Sequence, residues 1–402
     1  MKKQKEPSWL KIVRILVAAL FLYSGFTKAV DPVAAAIQFD DYFVSFGMGF
    51  LHPISMFCAV MMNIVEFTLG FMMLFRIRVD FTAIVYTLFM AFFLLLTLWL
   101  FVAEYLEVNY GYNFHVVKDC GCFGKAIHLN NWQTFVKNIV IMIPVIVVLI
   151  NRKLIPDIRL MPFGQWSFAL VGALLVSGFQ LYCYQHLPIV DYSDWKKGKD
   201  VKEMFVGEPA QKEMLFVYTN NKNTTLVQIM TTEELMNITD IIPNFYDTYH
   251  YTDRLDTTVK EAIHPKIEGF TMVDSSGYEH AYELISYDNK KPLFLLFMHN
   301  LKEVDLDGLQ SEKLKALIDY CKKENLDFIG ITNSLQAEIS IFRKVHDLDF
   351  PLYHNAIDPI KGPFIVRDAV RSNPGLILIK KGIVSEKWSW RDVPEISTLS
   401  PL

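Results

Sequence analysis

The chain opens with MKKQKEPSWLKIVR (Met1–Arg14), a basic segment, followed by ILVAALFLYSGF (Ile15–Phe26), an apolar one. The architecture turns on whether this run is a removable leader or a retained helix. A secretory leader ends in a small-residue cleavage site of the A-x-A kind, and none follows here. Four more apolar runs come after it, so the expectation is a retained first helix. The five runs lie at about Trp9–Val30, Pro53–Phe75, Phe81–Ala103, Trp132–Ile150 and Phe163–His186. Each approaches the roughly 20 residues of helix that cross a hydrocarbon core of about 30 Å. Pro144, inside the fourth, is tolerable where neighbouring helices re-satisfy the freed carbonyl.

Composition divides the chain in the same place. An apolar share of 52%, with 31 Phe and 16 Met in 402 residues, is too greasy for one water-soluble globule, and the excess lies before Pro188. The expected domains are a transmembrane bundle over residues 1–186, a linker and β-hairpin region over 187–264, and an α/β domain over 265–402. A net charge of −4 supplies no basic stripe, which excludes nucleic acid as a partner and leaves the lipid bilayer.

Lys2, Lys3, Lys5, Lys11 and Arg14, then Arg76 and Arg78, then Arg152, Lys153 and Arg159 fall before the first helix and in the second and fourth breaks. The positive-inside rule puts these in the cytoplasm. Asp31, Asp40 and Asp41, the loop from Glu104 to Asn131 and the C-terminal half then face outward, in a bacterial-type inner membrane and its periplasm. Lys118 and Lys125 dissent from this assignment.

The outer half begins with PIVDYSDWKKGKD (Pro188–Asp200), a linker, and EMLFVYTNNKNTTLVQIMT (Glu213–Thr231), a hairpin around an Asn-rich turn. IEGFTMVDSSGYEHAYEL (Ile267–Leu284) gives a second hairpin signal. PLFLLFMHN (Pro292–Asn300) and LDFIGITN (Leu326–Asn333) suit buried strands, each followed by a segment of helical period. NPGLILIKKGIVSEKWSW (Asn373–Trp390) closes the chain as a hairpin. That order describes an α/β sandwich with a mixed sheet.

Two of the five cysteines fall in VVKDCGCFGKA (Val116–Ala126), in the outward loop between the third and fourth apolar runs. A cysteine in a polar loop outside the cytoplasm meets oxidants. Residues i and i+2 of an extended segment point the same way, so the sulfurs of Cys120 and Cys122 can meet, and Gly121 gives the backbone the freedom a very small ring needs. Such a ring is strained and readily exchanged. Three readings stay open: a disulfide that carries electrons, a static staple, and a metal site using both thiolates with His115 or His128. Asp119 is a turn residue or a carboxylate that raises the thiol pKa of Cys120.

Within the membrane Glu66 is conspicuous, near the middle of the second apolar run with Asn63 on the same face. A charge at that depth costs at least roughly 2.5 kcal/mol on insertion scales, so Glu66 is protonated or paired. The candidate roles are a proton or quinone site formed with Asn63, or a polar tie to Asn138 or Lys137. Lys28 reads as a snorkelling anchor. Cys58, Cys183 and Cys321 read as packed thiols.

RILVAALFLYSGFTKAVDP (Arg14–Pro32), the outward DCGCFG (Asp119–Gly124) and the multi-helix layout resemble the DoxX-like membrane proteins, specifically the methylamine-utilisation MauE branch, over roughly Leu10–Ile150. The segment from about Pro265 onward resembles the TlpA-type thioredoxin-like domains, with Asn373-Pro374 where that family has its cis-proline. The first resemblance implies a membrane protein that serves disulfide formation or maturation of extracytoplasmic proteins, with Cys120 and Cys122 as the redox pair. Its implied partner is an extracytoplasmic thiol/disulfide or thioredoxin-like protein, and its implied acceptor a membrane quinone. The second implies a C-x-x-C motif after the first buried strand, where this chain reads FMHNLKEVD (Phe297–Asp305) with no cysteine. The rival expectations are a membrane scaffold carrying a degenerate thioredoxin domain, and a metal-handling membrane protein.

Overall fold

The computed structural model describes residues 5–112, 114, 116–117, 129–205, 211–260, 267, 270–285, 291–355 and 364–399. Asp119, Cys120, Cys122, His115 and His128 lie outside the described residues. The bundle comprises α1 (Ser8–Val30), α2 (Pro32–Ser45), α3 (Ser55–Phe75), α4 (Val79–Tyr110), α5 (Asn131–Asn151) and α6 (Pro162–Gln185). Among the described residues, five helices are long and apolar enough to cross a membrane, α2 being the short exception. On α4, Leu88, Phe92 and Leu95 are exposed, as a lipid-facing surface requires. The chain is a multi-pass membrane protein.

The expected spans return within a few residues, except that α4 runs on to Tyr110 and ends at left-handed Gly111. Sequence reading did not anticipate α2. Asp31 accepts a hydrogen bond from the Ala34 amide at 2.9 Å while Pro32 occupies the first helical position, a strong start signal. The helix buries Val33 to Ile37 against the bundle.

Helices α1 and α3 cross at two glycines. A Cβ on Gly25 would stand 2.7 Å from the Phe67 amide nitrogen, and one on Gly70 2.8 Å from that of Leu22. Lipid offers no hydrophobic drive for helices to associate, so small residues that admit close backbone packing supply the contact.

The two ends of the bundle differ chemically. At one end Arg14 pairs with Glu6 at 2.7 Å and donates to the Met73 and Leu74 carbonyls at 2.9 and 2.7 Å. The Ile158 amide donates to the Arg76 carbonyl at 2.8 Å, and Arg152 meets Asp80 at 3.2 Å. The Arg-rich breaks therefore meet there, and Asp31, Asp40 and the described flanks of the α4–α5 loop occupy the other end.

Beyond α6, β1 (Gln211–Asn220), β2 (Val227–Thr231) and β3 (Tyr249–Lys260) form an antiparallel sheet in the order β2-β1-β3. The first expected hairpin is present, and β3 is an addition to it. The second expected hairpin reduces to a turn closed by the Val273–Glu279 bridge, with Val273 also bridging His354.

The last sheet contains β4 (Leu293–Phe297), β5 (Asp327–Thr332), β6 (Leu352–His354), β7 (Gly375–Lys380) and β8 (Ile383–Ser389), ordered β6-β5-β4-β7-β8. Strands β4, β5 and β6 are parallel, while β7 and β8 run antiparallel. Alternation along β4 sends Leu293, Leu295 and Phe297 into one core, and Phe294 and Leu296 into another with Leu314 and Leu317. These leucines come from α7 (Glu312–Lys323), and Ile339 of α8 (Gln336–Val345) joins them. The segment expected as a linker contributes Trp195, which packs against Phe205, Phe270 and Phe297. The Asn373-Pro374 bond is cis.

The crossing of α1 and α3 is directly testable. Gly70→Leu should force the helices apart and lower the melting temperature of the detergent-solubilised chain by several degrees, as overpacking of about 1–3 kcal/mol does. An unchanged melting curve would mean that the crossing does not depend on the missing side chain.

Candidate functional site

Two helices place a buried ion pair inside the bundle. Lys28 Nζ lies 2.6 Å from Glu66 Oε2, with side chains 4% and 8% exposed, and Lys28 also donates to Ser24 Oγ at 2.8 Å. The snorkelling reading of Lys28 is therefore corrected: the ammonium turns inward because a carboxylate on α3 needs a counter-charge where water is scarce. Beside the pair a cavity of about 40 Å³ is lined by Lys137 and Asn138 of α5 and by Phe21, Phe89 and Phe93. That is room for about one water. The expected tie from Glu66 to Asn138 is absent, since Asn138 donates to Thr97 Oγ1 at 3.2 Å, though both residues border the cavity. Asn63, expected to act with Glu66, donates to Gln180 Oε1 of α6 at 3.0 Å.

At the opposite end from the arginine-rich breaks, the sheet domain rests on the bundle. Arg371 Nε donates to both oxygens of Asp31, at 3.1 and 2.9 Å, and its Nη1 donates to Asp368 at 2.9 Å. The side chains of Arg371 and Asp31 are only 4% and 6% exposed. Burial works against the Arg371 charge, but Asp31 and Asp368 hold its pKa above the usual guanidinium value. Ser389 Oγ and Arg391 donate to the Gln185 carbonyl at 3.0 and 3.3 Å, and His186 meets Asp392 at 2.8 Å.

A second acid of α2 lies close by. Asp40, 2% exposed at its side chain, pairs with His52 Nδ1 at 2.9 Å. Burial raises its carboxyl above the usual range against the opposing pull of His52, Ser55 and Arg367. His299, where the resemblance implied a cysteine, faces this region too, and burial with the charges of Arg367 and Arg371 pushes its imidazole down to about 3. The neighbouring Asn300 carbonyl accepts from Asn373 Nδ2 at 3.1 Å, which ties that segment to the cis-proline turn.

The flanks of the cysteine-bearing loop are fixed at this same end. Glu107 Oε1 accepts from the Phe114 and Val116 amides at 2.6 and 3.3 Å, Ser45 Oγ of α2 donates to the Phe114 carbonyl at 3.4 Å, and Asn131 donates to the Val117 carbonyl at 3.0 Å. Cys58, Cys183 and Cys321 are free thiols, and burial lifts that of Cys321 to about 12, which makes it unreactive. Among the described residues, no three His, Cys, Asp or Glu side chains gather as metal ligands. Sequence reading missed Asp31, Arg371 and the Asp40–His52 pair. The Asp-Pro start of α2 was the available signal for the first, and nothing local marks the others.

Two expectations follow. Lys28→Met strands a carboxylate in the bundle and should cost about 3–5 kcal/mol, whereas Lys28→Met with Glu66→Gln should recover much of it, read as melting temperature in detergent. Equal losses in the single and double variants would show that the pair is not coupled. His299 is held neutral in the fold while its unfolded pKa is about 6.5, so its stabilising contribution is full above that value and is lost as pH falls toward 3. The wild-type melting temperature should therefore fall between pH 7 and pH 5 more steeply than that of His299→Gln. Parallel curves would contradict this.

Against this geometry, residues 7–151 match a family model described as methylamine utilisation protein MauE. No curated protein matches the chain, and no solved structure does. The match takes in α1 to α5, the loop from Gly111 to Asn130 and the Lys28–Glu66 pair, and it ends before α6 and the sheets. The likeness to the MauE family is thus confined to residues 7–151, and α6 and the described sheets lie beyond it.

Proposed function

We propose that the chain is an inner-membrane component of thiol–disulfide exchange outside the cytoplasm, with Cys120 and Cys122 as its exchanging pair. The observation that carries this reading is DCGCFG (Asp119–Gly124) within the MauE-matching segment, in a loop whose described flanks lie at the bundle end where the sheet domain rests. The arginine-rich end, gathered around Arg14, Arg76 and Arg152, is the cytoplasmic one by the positive-inside rule, which puts loop and sheets in the periplasm.

In the exchange, a partner thiolate attacks one sulfur of the Cys120–Cys122 disulfide, and the other sulfur leaves as a thiolate. A second partner thiol then completes the transfer, leaving the partner oxidised and the loop reduced. Reoxidation passes two electrons and two protons to a lipid-soluble acceptor of quinone type. Glu66, beside the small cavity and countered by Lys28, is the proton-handling group for that step. Asp119 tunes the first thiol.

The sheet domain serves this reading as a thioredoxin-like fold that has given up dithiol chemistry. Its strand order and closing hairpin support that likeness. The face carrying His299 and Arg371 is engaged with α2, which favours a domain that caps the loop over one that holds a client on that face.

Trapping distinguishes these roles. Under mild oxidation the intact loop should yield a mixed disulfide with a partner thiol, seen as a reducible mass shift, and Cys120→Ser should yield none at that position. Equal trapping in both would remove the redox role and leave the chain a scaffold.

A further inference from the structure

Just past the end of α6 a cavity of about 240 Å³ is lined by Lys197, Arg371 and Lys387 and by Asp191, Asp368 and Glu386, with Leu187 and Pro188 as its apolar part. It is smaller than the roughly 300–1,000 Å³ of a drug-sized pocket, so it suits a small polar group. The thiol–disulfide reading makes no use of it.

Two buried cations in this lining have donors to spare. Arg371 gives its Nε to Asp31 and its Nη1 to Asp368 and the Arg367 carbonyl, whereas Nη2 has no hydrogen-bond partner among the described residues. A buried charged donor without an acceptor is disfavoured, and such groups ordinarily meet water or an anion. Lys387 Nζ donates to Asp191 at 2.6 Å and to Ser193 at 3.0 Å, which uses two of its three N–H groups. Burial lowers the Lys387 pKa, and the Arg371 charge lowers it further, against the pull of Asp191 and Asp368. An oxyanion beside both cations relieves that repulsion. The carboxylates Asp191, Asp368 and Glu386 are half-exposed, and each can accept further hydrogen bonds. Together with the buried Asp31 they outnumber the cations, so a plain anion is opposed and a ligand that brings its own ammonium is not.

The neighbourhood of the cavity is that of a membrane surface. Leu181, Tyr182 and Tyr184 in the last turns of α6 are exposed, as are Ile189 and Val190 just beyond it. Exposed tyrosines at the end of a spanning helix sit at the level of lipid headgroups. We propose that the cavity binds a zwitterion of the phosphoethanolamine type, its phosphate held by Arg371 and Lys387 and its primary ammonium by Asp191, Asp368 and Glu386. A primary ammonium donates three hydrogen bonds to such carboxylates, and a trimethylated one donates none. The headgroup of a phospholipid and the free phosphoester share this chemistry. An occupant also steadies the guanidinium that docks the sheet domain on Asp31.

The test uses the full chain in detergent, with binding read by calorimetry and melting temperature alongside. The probes are short-chain phosphatidylethanolamine, phosphatidylcholine and phosphatidylglycerol, and free O-phosphoethanolamine. The ethanolamine lipid should bind about tenfold or more tighter than the other two, the worth of a charge-assisted hydrogen bond. Lys387→Met with Asp191→Asn removes a pair without stranding either charge, and should weaken ethanolamine binding by a similar factor while the ligand-free melting temperature stays within a few degrees. Glu386→Gln, at a half-exposed position, should narrow the preference for ethanolamine over choline. Binding of the lipid alone makes the headgroup the natural occupant, and binding of the free phosphoester as well makes the cavity open from water; both support the site. Equal binding of the three lipids, no binding of any probe, or wild-type binding by the double variant overturns it. Should the double variant melt far below wild type, Glu386→Gln decides, and an unchanged lipid preference there overturns the proposal.

Discussion

The carboxylate of Asp31 ties the folding of one half of this chain to the docking of the other. One of its oxygens caps α2 through the Ala34 amide, and both accept from the Arg371 guanidinium 340 residues away. The cap fixes where the chain turns from spanning the bilayer to lying at its end, and the ion pair fixes which face of the sheet domain meets that turn. Removing the carboxylate would free a helix terminus and leave a buried guanidinium with Asp368 and the Arg367 carbonyl. Local folding of α2 and the docking of a distant domain are therefore one event in energetic terms.

Buried charge recurs through the structure. Lys28 with Glu66 inside the bundle and Arg371 with Asp31 at its end are pairs that have left water together, and Lys387 buries its ammonium against a half-exposed Asp191 at 2.6 Å beyond it. Such pairs contribute little net stability, because desolvation offsets most of their attraction, but breaking one of them is costly. Their effect is to exclude other arrangements: a bundle in which α1 rotates, or a sheet domain that docks by another face, would strand a charge.

Much of the bundle was legible from hydropathy, because a lipid environment imposes length and apolarity on each span independently of the others. The burial of Glu66 was legible for the same reason. Its partner was not, since Lys28 sits at a helix end where a snorkelling lysine has the same sequence signature. Helix α2 escaped because 14 residues cannot span and its apolar stretch is short, although Asp31-Pro32 announces it. Strand β3, reading YHYTDRLDTTVK, carries charge on both faces, and only its pairing with β1 makes it a strand. The contacts of Arg371 and of Asp40 with His52 depend on how separate elements meet, which no local pattern encodes.

The docked arrangement also changes what the outer end of the bundle can do. A protein roof over α2 lowers the local dielectric around Asp40, Asp31 and the base of the loop, so charges there act over longer distances than they would at an open bilayer surface. Arg367, Arg371 and the neutral His299 line that roof. That face therefore presents cations and a proton-free imidazole to this end of the bundle. Cationic surroundings favour thiolate over thiol, so on the proposed reading this face would bias an exchange at the loop even though the domain's own Cys321 is buried. Under that proposal the two parts divide the work, one carrying the sulfur and the other setting the field around it.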